Sequence, residues 1–225
     1  MKHIKRQKVP KRWPLQRKGT KYVVRANFNP QRGVPILIIL RDMLKICQNR
    51  KEVKQSLYQK KILLNNKPVS DDKNVAILFD TISIVPSKKH YRLTLSGIGK
   101  YSLEEIKENE ALYKISKIVN KKILKGKKIQ LNLRGGSNFL SDVKCSMGDS
   151  AVINFKNKKI DKCLPLNEKA KVIVFEGKHA GKHGVIRKLK PERKIASITI
   201  DNGNSDKKEN KDNINVLIKQ IMAID

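Results

Sequence analysis

Residues 172–186 read VIVFEGKHAGKHGVI, a strand pattern that runs directly into a loop rich in glycine. Val172 and Val174 alternate with their neighbours as in a β-strand. Three glycines then follow within eight residues, and glycine lets the backbone turn tightly and approach a ligand closely. The stretch therefore predicts a β-rich C-terminal unit whose first strand ends in an exposed basic loop. The basic side chains on or just after this loop are Lys178, His179, Lys182, His183 and Arg187.

This loop does not match a nucleotide-binding phosphate loop or a zinc site. Three residues separate Gly177 from Gly181, whereas a phosphate loop needs four, and His183 follows Lys182 where a serine or threonine is required. His179 and His183 have the spacing of two metal ligands on a helix, but the glycines disfavour a helix there. The chain also contains no Cys-x-x-Cys pair. We therefore predict no bound metal and no cofactor at this loop.

Short strands separated by turns are predicted on both sides of this stretch. The predicted strands cover residues 91–95, 129–133, 151–155, 160–164, 195–200 and 216–224. The stretch 104–122 is ambiguous between a helix with an apolar stripe and a partly buried strand. We assign a short helix that extends as far as about Leu112, and a strand after it. The polar stretch 201–213 predicts a flexible loop.

Two helices and a hairpin are predicted in residues 35–85. A helix over 35–49 would bury an apolar stripe and place Arg41 and Lys45 on its opposite face. A second helix over about 50–60 would bury Val53 and Leu57, and its outer face would also be basic. Two short strands flank Asn65-Asn66, because asparagine tolerates the left-handed conformation of a hairpin turn. A further strand is predicted over 81–85.

The N-terminal segment contains no acidic residue before Asp42, although it carries twelve lysines and arginines. Its prolines and glycines and its lack of apolar periodicity predict an extended arm over residues 1–34 that orders on a partner. Such a density of like charges requires a polyanion for neutralisation. Trp13, the single tryptophan, has two interpretations: it packs on the nearest domain as an anchor, or it stacks on a base or a ribose.

Composition points to the same kind of partner. The chain has 225 residues, with 51 Lys and Arg against 20 Asp and Glu, for a net charge of +31. A phosphate backbone accounts for such an excess. Three cysteines predict free thiols in a reducing compartment. The longest apolar run, residues 36–40, is too short to span a bilayer and too far from Met1 for a secretory signal. We expect no transit peptide, since the first serine is Ser56 and prolines interrupt the leader.

Several motifs resemble one family throughout the chain. The opening 2–6 and the stretch 10–14 resemble the start of the small-ribosomal-subunit family S-four-e (S4e) of archaea and eukaryotes. Residues 35–85 resemble its small RNA-binding module of the S-four type, with Asn66 and Phe79 where that module usually has glycine. Residues 91–93 resemble the start of its central β domain, and 172–186 resemble a KOW motif. The resemblance covers essentially the whole chain in order.

The resemblance implies an α+β protein of several modules. They are a basic extended N-terminal arm (1–34), a small α/β S-four-like RNA-binding module (35–88), a β-rich central domain (89–168) and a C-terminal SH3-like β-barrel with a KOW motif (169–225). It also implies a cytoplasmic, structural constituent of the small ribosomal subunit that binds ribosomal RNA and neighbouring ribosomal proteins. No membrane or small-molecule substrate is expected.

The predicted RNA-binding residues combine the basic arm, the two helices and the KOW loop. They are Lys2, His3, Lys5, Arg6, Lys8, Lys11, Arg12, Trp13, Arg17, Lys18, Lys21, Arg41, Lys45, Arg50, Lys51, Lys54, Lys178, His179, Lys182, His183 and Arg187.

Two rival functions are weighed. S-four modules are also attached to RNA-modifying enzymes and tRNA synthetases, but this chain has no Gly-x-Ser-x-Gly elbow and no paired nucleophile and base. We therefore expect no catalysis. The alternative is a non-ribosomal RNA-binding regulator of transcription or translation, which would be less abundant than ribosomes.

Overall fold

The structure, a computed structural model, describes residues 3–141, 143–190, 192–200 and 213–224. Within these ranges most of the regular structure is β, and the helices are few and short. The chain forms two compact units. Unit 1 comprises Met1–Ser96 and Lys100–Lys114, and unit 2 comprises Gly97–Gly99 and Ile115–Asp225. The predicted loop 201–213 lies outside the described residues, except for Asn213.

The described part of the N-terminal segment is folded, in contrast to the extended arm that we expected. Strand β1 (His3–Lys5) pairs antiparallel with β2 (Tyr22–Val24). The Arg6 guanidinium closes the connection between them, donating from Nε to the carbonyl of Thr20 at 2.7 Å and from Nη1 to that of Gln16 at 2.8 Å. Internal hydrogen bonds therefore order this segment, and charge density alone did not reveal them.

Trp13 is an anchor of this segment. Its side chain is 2% exposed, and its Nε1–H donates to the carbonyl oxygens of Pro30 at 3.0 Å and Gly33 at 2.8 Å. Gly33 begins strand β3 (Gly33–Pro35). A ring buried on both faces cannot stack on a base while the segment stays folded, so we remove Trp13 from the predicted RNA contacts.

The first helix begins as predicted and ends early. Helix α1 (Ile36–Ile38) continues as a π-helical turn over Ile39–Met43. Residues 36–40 are all buried, whereas residues 41–43 of the π-helical turn are half-buried. Lys45 follows with a φ of +55°. The prediction that Arg41 and Lys45 share a helix face is therefore wrong, because a left-handed residue cannot continue the helix.

The second helix and the hairpin after it agree with the prediction. Helix α2 (Arg50–Tyr58) buries Val53 and Leu57 and exposes its lysines. Strands β4 (Ile62–Leu64) and β5 (Lys67–Pro68) flank Asn65 and Asn66, whose φ angles are +52° and +61°. Both asparagines thus occupy the left-handed conformation that the turn requires.

A five-stranded sheet completes unit 1. After β6 (Val75–Ile77), which pairs with β3, the chain forms β7 (Thr81–Ile84), β8 (Lys89–Leu95) and β9 (Tyr101–Ile106). The strand order is β5-β4-β7-β8-β9. Helix α3 (Glu108–Ala111) follows. The short helix assigned near Leu112 is therefore present, but residues 104–106 belong to the preceding strand.

Unit 2 contains two five-stranded sheets. The first has the order β12-β11-β10-β13-β14. Its strands are β10 (Tyr113–Ile123), β11 (Ile129–Leu133), β12 (Asn138–Leu140), β13 (Ser150–Asn154) and β14 (Lys159–Leu164). Its core contains alternating residues such as Leu131, Leu133, Ala151 and Ile153.

The second sheet contains the glycine-rich stretch. Its strands are β15 (Lys171–Val174), β16 (His183–Lys190), β17 (Ile195–Ile200), β18 (Asn213–Leu217) and β19 (Ile221–Ala223). The order is β18-β17-β16-β15-β19, around a core that includes Val172, Ile186, Ile198 and Ile221. The single final strand predicted over 216–224 is wrong, because a 3₁₀ turn at Ile218–Gln220 divides it.

Candidate nucleic-acid interface

A basic cleft lies beside the β1–β2 connection in unit 1. Its volume is about 490 Å³. We call it the Gly19 cleft, and it is lined by Lys5, Arg6, Gln7, Arg17, Lys18, Gly19, Thr20 and Lys21. Five of these eight residues are cationic and none is acidic. Four of the five, all except Arg6, are exposed. The cleft therefore offers convergent positive charge with no carboxylate to compensate it, which suits a phosphate group.

Arg6 shapes this cleft. Besides its bonds to Thr20 and Gln16 carbonyls, its Nη2 donates to the Thr20 hydroxyl at 3.0 Å. Gly19 has a φ of +138°, and a Cβ built there would lie 3.1 Å from the guanidinium carbon. The guanidinium is thus occupied by the loop backbone. Arg6 therefore holds the loop at residues 16–20 against β1, and its direct contact with RNA stays a prediction.

The other predicted residues of the arm lie mostly on the surface. The His3 ring is exposed, with its centroid 4.3 Å from that of Tyr22. Lys8 and Lys11 are exposed and Arg12 is half-buried. Lys2 lies outside the described residues. The arm therefore presents cations from a folded surface.

The predicted cations of the helical region fall into two groups. Lys45, Lys51 and Lys54 are exposed, and within the described ranges no salt bridge joins them to a carboxylate. Arg41 instead pairs with the adjacent Asp42, Nη2 to Oδ2, at 2.9 Å. Part of the predicted basic face is therefore neutralised within the protein.

Arg50 is likewise engaged in an internal ion pair. Its Nε donates to Oδ2 of Asp72 at 2.6 Å, and the Asp72 side chain is only 3% exposed. Burial alone would raise the pKa of Asp72, but the hydrogen bond and charge of Arg50, with the charge of Lys54, leave that pKa lowered. Arg50 therefore compensates a buried carboxylate, and removing it would leave that charge unpaired.

The loop between β15 and β16 carries the third predicted group, in unit 2. Gly177 and Gly181 have φ angles of +90° and +89°. The Gly181 N–H donates to the carbonyl of Val174 at 2.7 Å, and the Val174 N–H donates to the carbonyl of Lys182 at 3.0 Å. The loop is thus held by its own backbone. It exposes Lys178, His183 and Arg187 and leaves His179 and Lys182 half-buried.

The third glycine of this stretch has a different role. Gly184 lies in β16 and has no positive φ. A Cβ there would lie 2.3 Å from the Thr199 carbonyl oxygen of the neighbouring strand. Close strand packing therefore requires glycine at 184, whereas the sequence analysis assigned the glycines to turning and RNA approach.

Two buried lysines were missed by the sequence analysis. In unit 1, Lys114 forms an ion pair with Asp80, which also accepts hydrogen bonds from Asn65 Nδ2 at 2.9 Å and the Ile77 N–H at 2.6 Å. This network holds the Asn65 turn in place. Phe79, just before Asp80, has a φ of +65°, a conformation that glycine adopts without strain.

In unit 2, Lys117 donates from Nζ to the carbonyls of Ile218 and Ile221, the latter at 2.7 Å. Burial, helped by the charge of Arg134, lowers its pKa to about 8. Arg134 stacks over the Phe175 ring at 4.1 Å and pairs with Glu176. The sequence signal for these sites is weak, because β10 also contains Ser116, Asn120, Lys121 and Lys122.

Among the described residues, no group of three or more His, Cys, Asp or Glu side chains could hold a metal ion. No helix within the described ranges is long and apolar enough to cross a membrane.

Comparison with known proteins connects these features to one family. The model of the ribosomal family S4e matches residues 87–160, and that of the RS4NT domain matches residues 1–28. The small ribosomal subunit protein eS4 of Methanocella arvoryzae is 35% identical over 201 residues, which cover 88% of this chain and 85% of that protein. The protein of the same name from Methanospirillum hungatei is 37% identical and covers 82% and 78%.

A solved structure has a similar fold. The crystal structure of the 30S ribosomal protein S4e from Thermoplasma acidophilum superposes with a TM-score of 0.69 at 22% identity, covering 86% of this chain and 95% of that one. The alignments with the two eS4 proteins cover most of this chain and most of each relative. The chain therefore belongs to the ribosomal S4e family.

Proposed function

We propose that the protein is a structural constituent of the small ribosomal subunit in the cytoplasm. It binds ribosomal RNA and contacts neighbouring ribosomal proteins there, without catalysing a reaction. Its relatives carry the name small ribosomal subunit protein eS4. The observation that carries the RNA assignment is the Gly19 cleft, in which exposed cations converge with no acidic neighbour.

The proposed recognition is by charge and shape. Double-stranded RNA presents phosphates, 2′-hydroxyls and a characteristic form, while its deep groove excludes side chains. Rigid β surfaces that carry many lysines suit such a target. Three surfaces contribute: the Gly19 cleft, the exposed lysines of α2 and the β15–β16 loop. Several linked sites on one RNA raise the effective concentration of each.

The proposed modules follow the four ranges given by the sequence resemblance. Residues 1–34 supply the basic arm, 35–88 the S-four-like module, 89–168 the central β domain and 169–225 an SH3-like barrel with a KOW loop. The antiparallel order of β18-β17-β16-β15-β19 supports the last assignment, and the α2 helix with its hairpin supports the second. The pairing of β7 with β8 means that the second and third modules share a sheet.

A binding experiment with matched charge variants tests this function. A triple variant, Lys5→Gln, Lys18→Gln and Lys21→Gln, removes three exposed cations from the Gly19 cleft. Affinity for small-subunit ribosomal RNA is measured for the full chain across a salt series. If each lysine contacts a phosphate, the slope of log affinity against log salt becomes shallower by about 2–3.

The control removes the same charge elsewhere. Lys156, Lys158 and Lys159 are exposed at the β13–β14 turn and belong to none of the proposed surfaces. Their triple glutamine variant should retain the wild-type slope. Equal losses in both variants would show that affinity follows net charge alone, which would contradict the assignment of the Gly19 cleft.

A further inference from the structure

A second cleft in unit 1 contains an aromatic side chain that none of the predicted contacts includes. Tyr58, the last residue of α2, is 88% exposed. It borders a cleft of about 650 Å³ between α2 and the segment after β4. We call this the Tyr58 cleft, and it is lined by Arg50, Lys54, Leu57, Tyr58, Lys60, Pro68, Val69, Ser70, Asp71, Asp72 and Lys73.

The cleft combines an apolar interior with a cationic border. Leu57 and Val69 are buried residues that contribute to its lining, and Pro68 lies beside them. Lys54 and Lys60 are exposed. Lys54 precedes Tyr58 by four residues on the helix, so the two side chains lie on one face. Apolar and aromatic surface next to ammonium groups complements a nucleotide, which has a flat base and an anionic phosphate.

The two carboxylates in the lining do not cancel this charge. Asp72 is buried and paired with Arg50. Asp71 accepts a hydrogen bond through Oδ1 from the Lys73 N–H at 3.1 Å, within its own turn. The lining as a whole keeps a positive excess, because its four cations, Arg50, Lys54, Lys60 and Lys73, outnumber these two carboxylates. Within the described part of the chain, the Tyr58 hydroxyl has no hydrogen-bond partner. No hydrogen bond of this side chain within the protein therefore has to break before a ligand contacts it.

We propose that Tyr58 stacks on an unpaired base of the bound RNA, with the adjacent lysines on its phosphates. This inference rests on the proposed RNA-binding function and names a contact of a different kind. The other surfaces bind backbone charge, whereas stacking requires a base that is free of its duplex. An exposed aromatic ring gives such an interaction without selecting a particular sequence.

The test compares two RNA probes on the full chain. One is a single-stranded oligoadenylate, and the other is an RNA duplex with the same number of phosphates. Tyr58→Leu should weaken oligoadenylate binding about 5- to 150-fold, while Tyr58→Phe should bind like the wild type. Neither change alters the charge, so the salt slope should stay constant. Duplex affinity should also be unchanged.

A matched control is Phe28→Leu, which removes another exposed aromatic ring outside the cleft. It should leave both affinities unchanged. Equal oligoadenylate affinity in wild type and Tyr58→Leu would overturn the stacking assignment while leaving the ribosomal function intact. A Tyr58→Leu defect that occurs only when other ribosomal proteins are present would likewise overturn it and assign the cleft to a protein. Failure of the wild type to bind either RNA would instead contradict the proposed function itself.

Discussion

Replacing Trp13 by alanine should destabilise unit 1 strongly and should reveal whether the N-terminal segment is part of the folded protein. The side chain is 2% exposed, so nearly all of its surface is buried. An aromatic side chain of this size buries about 150–250 Å², which corresponds to about 4–6 kcal/mol at about 25 cal/mol per Å². Measured truncations of buried aromatic residues cost about 3–5 kcal/mol. We expect a loss in this latter range.

Trp13→Phe separates the packing of the ring from its hydrogen bonds. Phenylalanine keeps most of the apolar surface and removes the Nε1–H that donates to the Pro30 and Gly33 carbonyls. Leaving buried acceptors without a donor costs about 1–3 kcal/mol, so Trp13→Phe should fall between wild type and Trp13→Ala. Urea unfolding followed by far-ultraviolet circular dichroism measures all three proteins without depending on tryptophan fluorescence.

The control for these variants is Tyr58→Ala, since this aromatic side chain is 88% exposed. Its unfolding free energy should stay within about 0.5 kcal/mol of the wild type. In the wild type, the fluorescence of Trp13 should be protected from acrylamide and should not change when RNA binds. A Trp13→Ala protein of undiminished stability, with tryptophan emission quenched by RNA, would refute the anchor interpretation and restore stacking on a base.

Three further predictions concern unit 2. Burial lowers the pKa of Lys117 to about 8, so between about pH 8 and 10.5 the unfolded chain binds a proton that the folded chain lacks. The free energy of unfolding, measured in urea titrations, should therefore rise with pH across this range by at most about 3 kcal/mol. The Lys117→Met variant should lack this rise. Gly184→Ala should lower the free energy of unfolding by about 1–3 kcal/mol in thermal or urea unfolding, because its Cβ would meet the backbone of β17. The control Gly97→Ala should be neutral, because Gly97 has open space around it. Similar losses for both variants would contradict the packing role of Gly184. Burial and the neighbouring Cys145 thiol raise the pKa of Cys163 to about 12. This thiol should therefore resist alkylation at pH 8 in the native protein and react after unfolding. Rapid labelling of Cys163 in the native protein, located by mass spectrometry, would contradict this environment.

Local signals predicted the parts of the fold that local chemistry controls. The asparagine pair indicated the β4–β5 turn because left-handed backbone is available to asparagine. The spacing of Val53 and Leu57 indicated the buried face of α2. Short stretches between turn signals indicated β11, β13 and β17. In each case the relevant partners lie within a few residues or follow from a simple period.

The features that the sequence left open or did not indicate depend on partners far apart in the chain. Trp13 is anchored by carbonyls at positions 30 and 33, and Lys117 binds carbonyls more than a hundred residues away. Gly184 is required by a strand that begins eleven residues later. Composition marked Arg6 as an RNA-binding cation, but it could not show that the loop backbone occupies its guanidinium. Each of these roles is set by tertiary geometry.

The sequence therefore indicated which segments of the candidate interface are basic, but not which of their side chains are free to bind RNA. The sequence indicated that the N-terminal segment, α2 and the glycine-rich loop are basic, and the described cations there are mostly exposed. It did not separate cations that face solvent from those paired internally, such as Arg41 and Arg50. It also gave no signal for the cleft at Tyr58, because that cleft forms between a helix and a later loop.

Sedimentation of a native cell lysate through a sucrose gradient after a high-salt wash tests the central claim most directly. The account predicts that the protein remains on the small ribosomal subunit in a one-to-one ratio with other subunit proteins, because several basic surfaces bind one RNA together. Migration as free protein, or with particles other than the small subunit, would contradict a structural role and would favour an RNA-binding regulator.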